Sequence, residues 1–102
     1  MIAFSETARF FQNRRVACRV YDGLAEVITL DQPVRQHRLN RTATRLWELA
    51  VEGATAAQLV SGIVDRFEVE PARAASDLQV ILPELVSRGI LVVDGEAPGA
   101  TP

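Results

Sequence analysis

The chain has 102 residues, 48% of them apolar and 24% charged, the balance of one globular domain with a single modest core. A net charge of −2 and a pI near 5.3 exclude a surface built as a whole to hold a polyanion, although all 11 basic residues are arginine. One cysteine, Cys18, and one histidine, His37, exclude an internal disulfide and argue against a thiolate-rich or histidine-based metal site.

The opening "MIAFSETARFF" carries Glu6 and Arg9 where a secretion signal needs an unbroken apolar stretch. No apolar run approaches the roughly 18–20 residues that span a bilayer. Both readings predict a cytoplasmic protein without membrane contact. Residues 1–15 form an N-terminal arm in which Phe4, Ala8 and Phe11 stand at helical spacing. They predict a short helix or a packing arm, laid over the core or exchanged between subunits.

From Val16 to Tyr21 apolar and polar residues alternate, with Val16, Cys18 and Val20 on one side, the pattern of a half-buried strand. Cys18 therefore reads as a small buried apolar residue. Asp22-Gly23 is a turn signal, and Leu24–Leu30 resumes as a strand rich in β-branched residues. Asp31–Pro33 punctuates again, and Val34–Leu39 follows as a third short strand. The spacing predicts a three-stranded antiparallel meander.

Asn40 reads as the N-cap of a first helix with Ala43, Leu46, Trp47 and Ala50 on its apolar face and Gly53 as its C′ residue. "TAAQ", Thr55–Gln58, fits a capping box for a second helix, whose apolar face is Leu59, Val60, Ile63, Val64 and Phe67. Pro71 suits the first turn of a third helix with the stripe Ala74, Ala75, Leu78, Ile81, Leu82, Leu85 and Val86. Pro83, inside that helix, predicts a kink. Gly89 ends the helix, and Ile90–Val93 is a further strand or packed tail. The globular part thus runs over residues 16–93. The Gly- and Pro-rich end, 94–102, reads as a disordered tail. The fold class is α+β, a three-stranded antiparallel sheet followed by three helices.

No catalytic constellation is present: there is no Gly-rich phosphate loop, HExxH, CxxC or GxSxG. The chain does not read as an enzyme, and no cofactor or metal is expected. The one chemically directed feature is a run of arginines, Arg35, Arg38, Arg41 and Arg45, straddling the third strand and the first helix. An exposed sheet edge invites strand addition by an extended peptide, and flanking arginines favour one bearing Asp or Glu. His37, on the same strand, is either a ligand contact or an ordinary strand histidine.

"LNRTATRLWELAVEGATAAQLVSGIVDRF", followed by Asp77 and then "LPELVSRGIL", resembles the PqqD-like family over about Val16 to Val93. The Leu39-Asn40-x-Thr42 corner, Trp47 and Gly53-x-Thr55, in that order, carry the resemblance. It implies a fold similar to a winged helix-turn-helix and a role as a RiPP recognition element, a module that binds the leader of a ribosomally made precursor peptide. In that family the leader adds as a strand to the third strand and lies against the third helix. The matching positions are Val34, Arg35, Gln36, His37, Arg38 and Leu39 on the strand, and Asp77, Leu78, Ile81, Leu82 and Leu85 on the helix. The resemblance also implies a modifying enzyme as partner, such as a radical SAM protein, a cyclase or a leader protease. Two alternatives share the element order. One is a winged-helix DNA binder, disfavoured because Arg66, Arg73 and Arg88 face Asp65, Asp77 and Glu84 along the sequence. The other is a dimerisation or scaffold domain, with a homodimer formed through the open edge.

Overall fold

A computed structural model describes residues 7–30 and 34–94. The elements in chain order are β1 (Arg9–Gln12), β2 (Val16–Tyr21), β3 (Leu24–Thr29), β4 (Arg35–Arg38), α1 (Arg41–Leu49), β5 (Ala54–Thr55), α2 (Ala56–Arg66), α3 (Pro71–Ser87) and β6 (Leu91–Asp94). They make two antiparallel three-stranded sheets, ordered β2-β3-β4 and β5-β1-β6. With three helices between and around them, the α+β class holds.

The first sheet is the expected meander. Asp22 and Gly23 both take positive φ, as a two-residue hairpin turn requires. The second sheet was not expected. Arg9–Gln12 is a strand, not a helix, because its partners come from far along the chain: Phe10 stands opposite Ala54 on one side and Val93 on the other. Within β1, alternation buries Phe10 completely and leaves Phe11 half-buried. Phe11 covers Gly53, where φ is +90° and a Cβ would run into the Phe11 ring. Gly53 is therefore fixed by packing as well as by backbone shape, three residues beyond the helix cap at Ala50. Phe4, the turn at Asp31–Pro33 and residues 95–102 of the expected tail lie outside the described residues. Asp94, placed in that tail by composition, ends β6.

The helices begin as their caps dictate. Asn40 Oδ1 accepts from the Ala43 N–H at 2.8 Å, and Thr55 and Gln58 exchange the two bonds of a capping box at 2.9 and 3.2 Å. The core joins Phe10, Ala25, Val27, Leu46, Trp47, Leu59, Ile63, Leu78, Leu82, Leu85, Ile90 and Leu91. Burying one aliphatic side chain of this kind contributes about 1.5–3 kcal/mol.

One buried polar group ties helix to sheet. Thr44, on the inner side of α1, accepts from the Ala25 N–H at 3.1 Å and donates to the Leu39 carbonyl at 3.4 Å. The Leu39 N–H in turn reaches the Ala25 carbonyl at 2.9 Å. The central strand, the end of β4 and the start of α1 are thereby locked at one point.

The coverage of the first sheet differs from expectation. Ala25 and Val27 on β3 are fully buried, but β2 is exposed from Ala17 to Tyr21, with Val20 64% accessible. Cys18 is an exposed free thiol rather than a buried apolar residue. The alternation correctly gives its side of the strand, but the helices cover only the middle of the sheet.

Candidate functional site: an open strand edge beside the third helix

β4 pairs only with β3, so its other edge is unpaired among the described residues. Hydrogen-bonded pairs in an antiparallel ladder alternate. The bond between Leu39 and Ala25 marks that pair as hydrogen-bonded, so His37 and Arg35 also turn their main chain toward β3, through Val27 and Thr29. Gln36 and Arg38 then present their N–H and C=O groups outward. An incoming strand would find its main-chain partners there.

Alternation also divides the side chains. Arg38 and Gln36 share a side of the sheet with Glu26, whereas Arg35 and His37 share the other with the buried Val27. On the outer side Arg19, Glu26 and Arg38 stand in register across three strands. Glu26, its side chain only 11% accessible, is paired to Arg19 at 3.3 Å and to Arg38 at 3.0 Å. Arg38 thus neutralises an internal carboxylate. Arg45 is likewise within 3.7 Å of Glu48.

The inner side lies beside the end of α3. The Asn13 side chain donates to the Gly89 carbonyl at 2.7 Å, and Gly89 lies against Thr29 of β3. This brings Arg88 close enough to act electrostatically on His37, whose pKa is lowered by burial first, then by Arg88 and Arg35. His37 Nε2 is shielded from solvent and has no hydrogen-bond partner.

On α3 the expected site residues separate. Leu78, Leu82 and Leu85 are buried in the core, with Leu78 2% accessible. They are core residues and cannot line a surface site. Leu39 is likewise buried. At about 100° per residue, Asp77, Ile81, Glu84 and Arg88 form one flank, whose last residue, Arg88, acts on His37. Ile81 is half-buried and Asp77 exposed, and Asp77 is bridged to Arg73 at 3.6 Å. Glu84 and Arg88 pair at 2.6 Å. Pro83 does not interrupt α3 and falls roughly opposite Ile81 around the helix axis, so whatever it does to the helix it does away from this flank. Val34 and Gln36 are exposed.

Sequence reasoning missed Arg88 as a neighbour of His37, and Glu26 as the partner of Arg38. Only the alternation of β3 and β4 together signalled Glu26. Among the described residues there is no group of His, Cys, Asp and Glu able to hold a metal ion, and no helix is long and apolar enough to cross a membrane.

A family model described as PqqD, coenzyme PQQ synthesis protein D, matches residues 26–91, well over half the chain. The chain belongs to the PqqD family. The match begins in β3 and ends at the start of β6, so it takes in both β4 and α3. A solved structure titled "TbiB1 in Complex with the TbiA(beta) Leader Peptide" superposes with a TM-score of 0.73 at 20% identity, covering 84% of this chain and 99% of that one. At that identity the likeness establishes a shared fold. No curated protein matches the chain.

Proposed function

We propose that this PqqD-family chain is a non-catalytic peptide-binding module that captures the leader of a ribosomally synthesised precursor by strand addition to β4. The observation that carries this reading is the open β4 edge, with Gln36 and Arg38 presenting main-chain groups outward and Arg88, at the end of α3, near His37 on its inner side. Strand addition draws affinity from main-chain bonds and specificity from alternate side chains, and both are available here. The shared fold with TbiB1, whose structure was determined with a leader peptide, supports the same reading.

The binding surface then comprises Val34–Arg38 of the strand with Asp77, Ile81 and Arg88 of the helix. Leu39, Leu78, Leu82 and Leu85 hold the two walls in place. Chemistry on the precursor belongs to a partner enzyme, such as a radical SAM protein, a cyclase or a leader protease. Tethering the leader raises the local concentration of precursor beside that enzyme.

The test is titration of the labelled protein with the synthetic leader of a short precursor encoded beside the gene, followed by amide NMR. Shifts confined to residues 34–40 and the Asp77–Arg88 flank are expected. Unmoved amides there at saturating leader would sink the strand-addition model. The DNA-binding alternative has little support in the helices, since Arg73 and Arg88 are both engaged by carboxylates one turn away.

A further inference from the structure

The charge around β4 is asymmetric. On the outer side Arg38 is occupied by Glu26 at 3.0 Å, and Glu26 is already shared with Arg19. On the inner side the guanidinium of Arg35 has no ion pair or hydrogen bond among the described residues, and Arg88 is held by Glu84 alone. Between them His37 Nε2 is buried without a partner. A shielded polar atom left unsatisfied is destabilising, so a ligand that supplies a partner there gains more than it would at the surface. Two cations beside that atom select the sign of the partner.

We infer that the inner side of β4 is a carboxylate-reading subsite, in which Arg35, His37 and Arg88 together receive an Asp or Glu side chain of the bound leader. The inference rests on strand addition at β4. An added strand alternates its side chains, so every second leader residue would point to this side of the sheet, into the gap between β4 and the end of α3. A carboxylate there accepts from His37 Nε2–H and from the Arg35 guanidinium, and competes with Glu84 for Arg88. The groups facing His37 are Arg35 on its own strand, Val27 on β3, and Arg88 with its partner Glu84 on α3. The basicity of His37 in the free protein is depressed by burial first and then by Arg88 and Arg35, which agrees with this placement. Arg38, although on the same strand, has no part in the reading.

The experiment is selection of random extended peptides, displayed on phage, against the full chain and against the variants R35Q/R88Q, H37Q and R38Q, each checked for an unchanged circular-dichroism spectrum. The wild-type chain and R38Q should enrich peptides with one fixed acidic position. R35Q/R88Q should keep the apolar positions and lose the acid, and H37Q should weaken the preference. For a selected peptide, replacing that acid by its amide should lower affinity about tenfold on the wild-type chain and less than twofold on R35Q/R88Q. Peptides that shift residues 34–40 but carry no fixed acid, or an acid lost in R38Q instead, overturn the inference alone. No enrichment on the wild-type chain overturns both the inference and strand addition.

Discussion

β2 and β4 are the two outer strands of one sheet and, among the described residues, share β3 as their only partner, yet they differ in what surrounds the edge. At β2 the alternation set by the Leu30–Arg15 bond turns the main chain of Val16, Cys18 and Val20 outward. Its inner side opens on a groove of about 810 Å³ lined by Phe11, Trp47, Val51 and Val92. Arg14 and Asp94 line the same groove, so a cation and an anion stand there together. At β4 the inner side instead faces the end of α3, with Arg35, His37 and Arg88 together. The outer sides of the two strands are equivalent, since Glu26 holds one arginine from each. An unpaired edge is therefore not sufficient to make a peptide site. The end of α3 and the grouping of Arg35, His37 and Arg88 on one side distinguish β4.

The strongest way to break this comparison is to remove one outward N–H from each edge. Proline is tolerated on an edge strand where its missing N–H faces away from the ladder, and both Gln36 and Val20 satisfy that condition. Gln36→Pro should lower leader affinity by about 30-fold or more, on the order of 2 kcal/mol for a lost main-chain bond plus ring contact with the incoming strand. Val20→Pro should change it by less than about twofold. Isothermal titration with both variants measures the pair. If Val20→Pro abolishes binding and Gln36→Pro does not, the roles of the two edges are reversed.

The parts of this comparison that were readable in the sequence are those written locally. Asn40 and the Thr55–Gln58 box specify helix starts within four residues, and both are present as expected. The β2–β3 turn is likewise carried by Asp22-Gly23. That β1 is a strand was not legible, because the spacing of Phe4, Ala8 and Phe11, which offered a short helix or a packing arm, is a local pattern. Its strand partners, Ala54 and Val93, lie more than forty residues away. Cys18 shows the limit of alternation: it assigns a side, but coverage depends on where the helices end. The same limit applies to α3, where Leu78 and Ile81 belong to one apolar stripe but the first is buried and the second only half-buried. Arg88 entered the site only through the packing of Gly89 against Thr29, a contact that leaves no mark in a linear pattern.

A smaller effect sharpens the comparison by acting on what the two edges share. Thr44 satisfies the buried Ala25 N–H of β3, so Thr44→Val removes the acceptor while keeping the shape. The expected loss is about 1–2 kcal/mol of stability from one buried donor left unpaired, read from urea midpoints. Leader affinity under folding conditions should stay within about twofold, because neither edge loses a contact. A large fall in affinity at unchanged stability would show that the two edges are not independent of the lock beneath them.

The smallest effect concerns His37, the residue that most separates the inner sides of the two edges. Its pKa in the folded chain lies below the ordinary 6.5, through burial, Arg88 and Arg35. The unfolded chain therefore takes up the proton first as pH falls. The stability that neutral His37 confers is complete above about pH 6.5 and is lost as pH drops from there through the lower folded value. Because the ring is only half-buried, this loss should be shallower than that of Thr44→Val. Urea midpoints at about pH 7.5 and 5.5 should differ less in His37→Gln than in the parent, whereas Cys18→Ala, on the opposite edge, should leave the difference unchanged. A bound acidic side chain reverses the sign locally, since a carboxylate beside the ring favours the imidazolium. Leader affinity should then rise over the same interval in which the free protein loses stability, and His37→Gln should flatten both trends together.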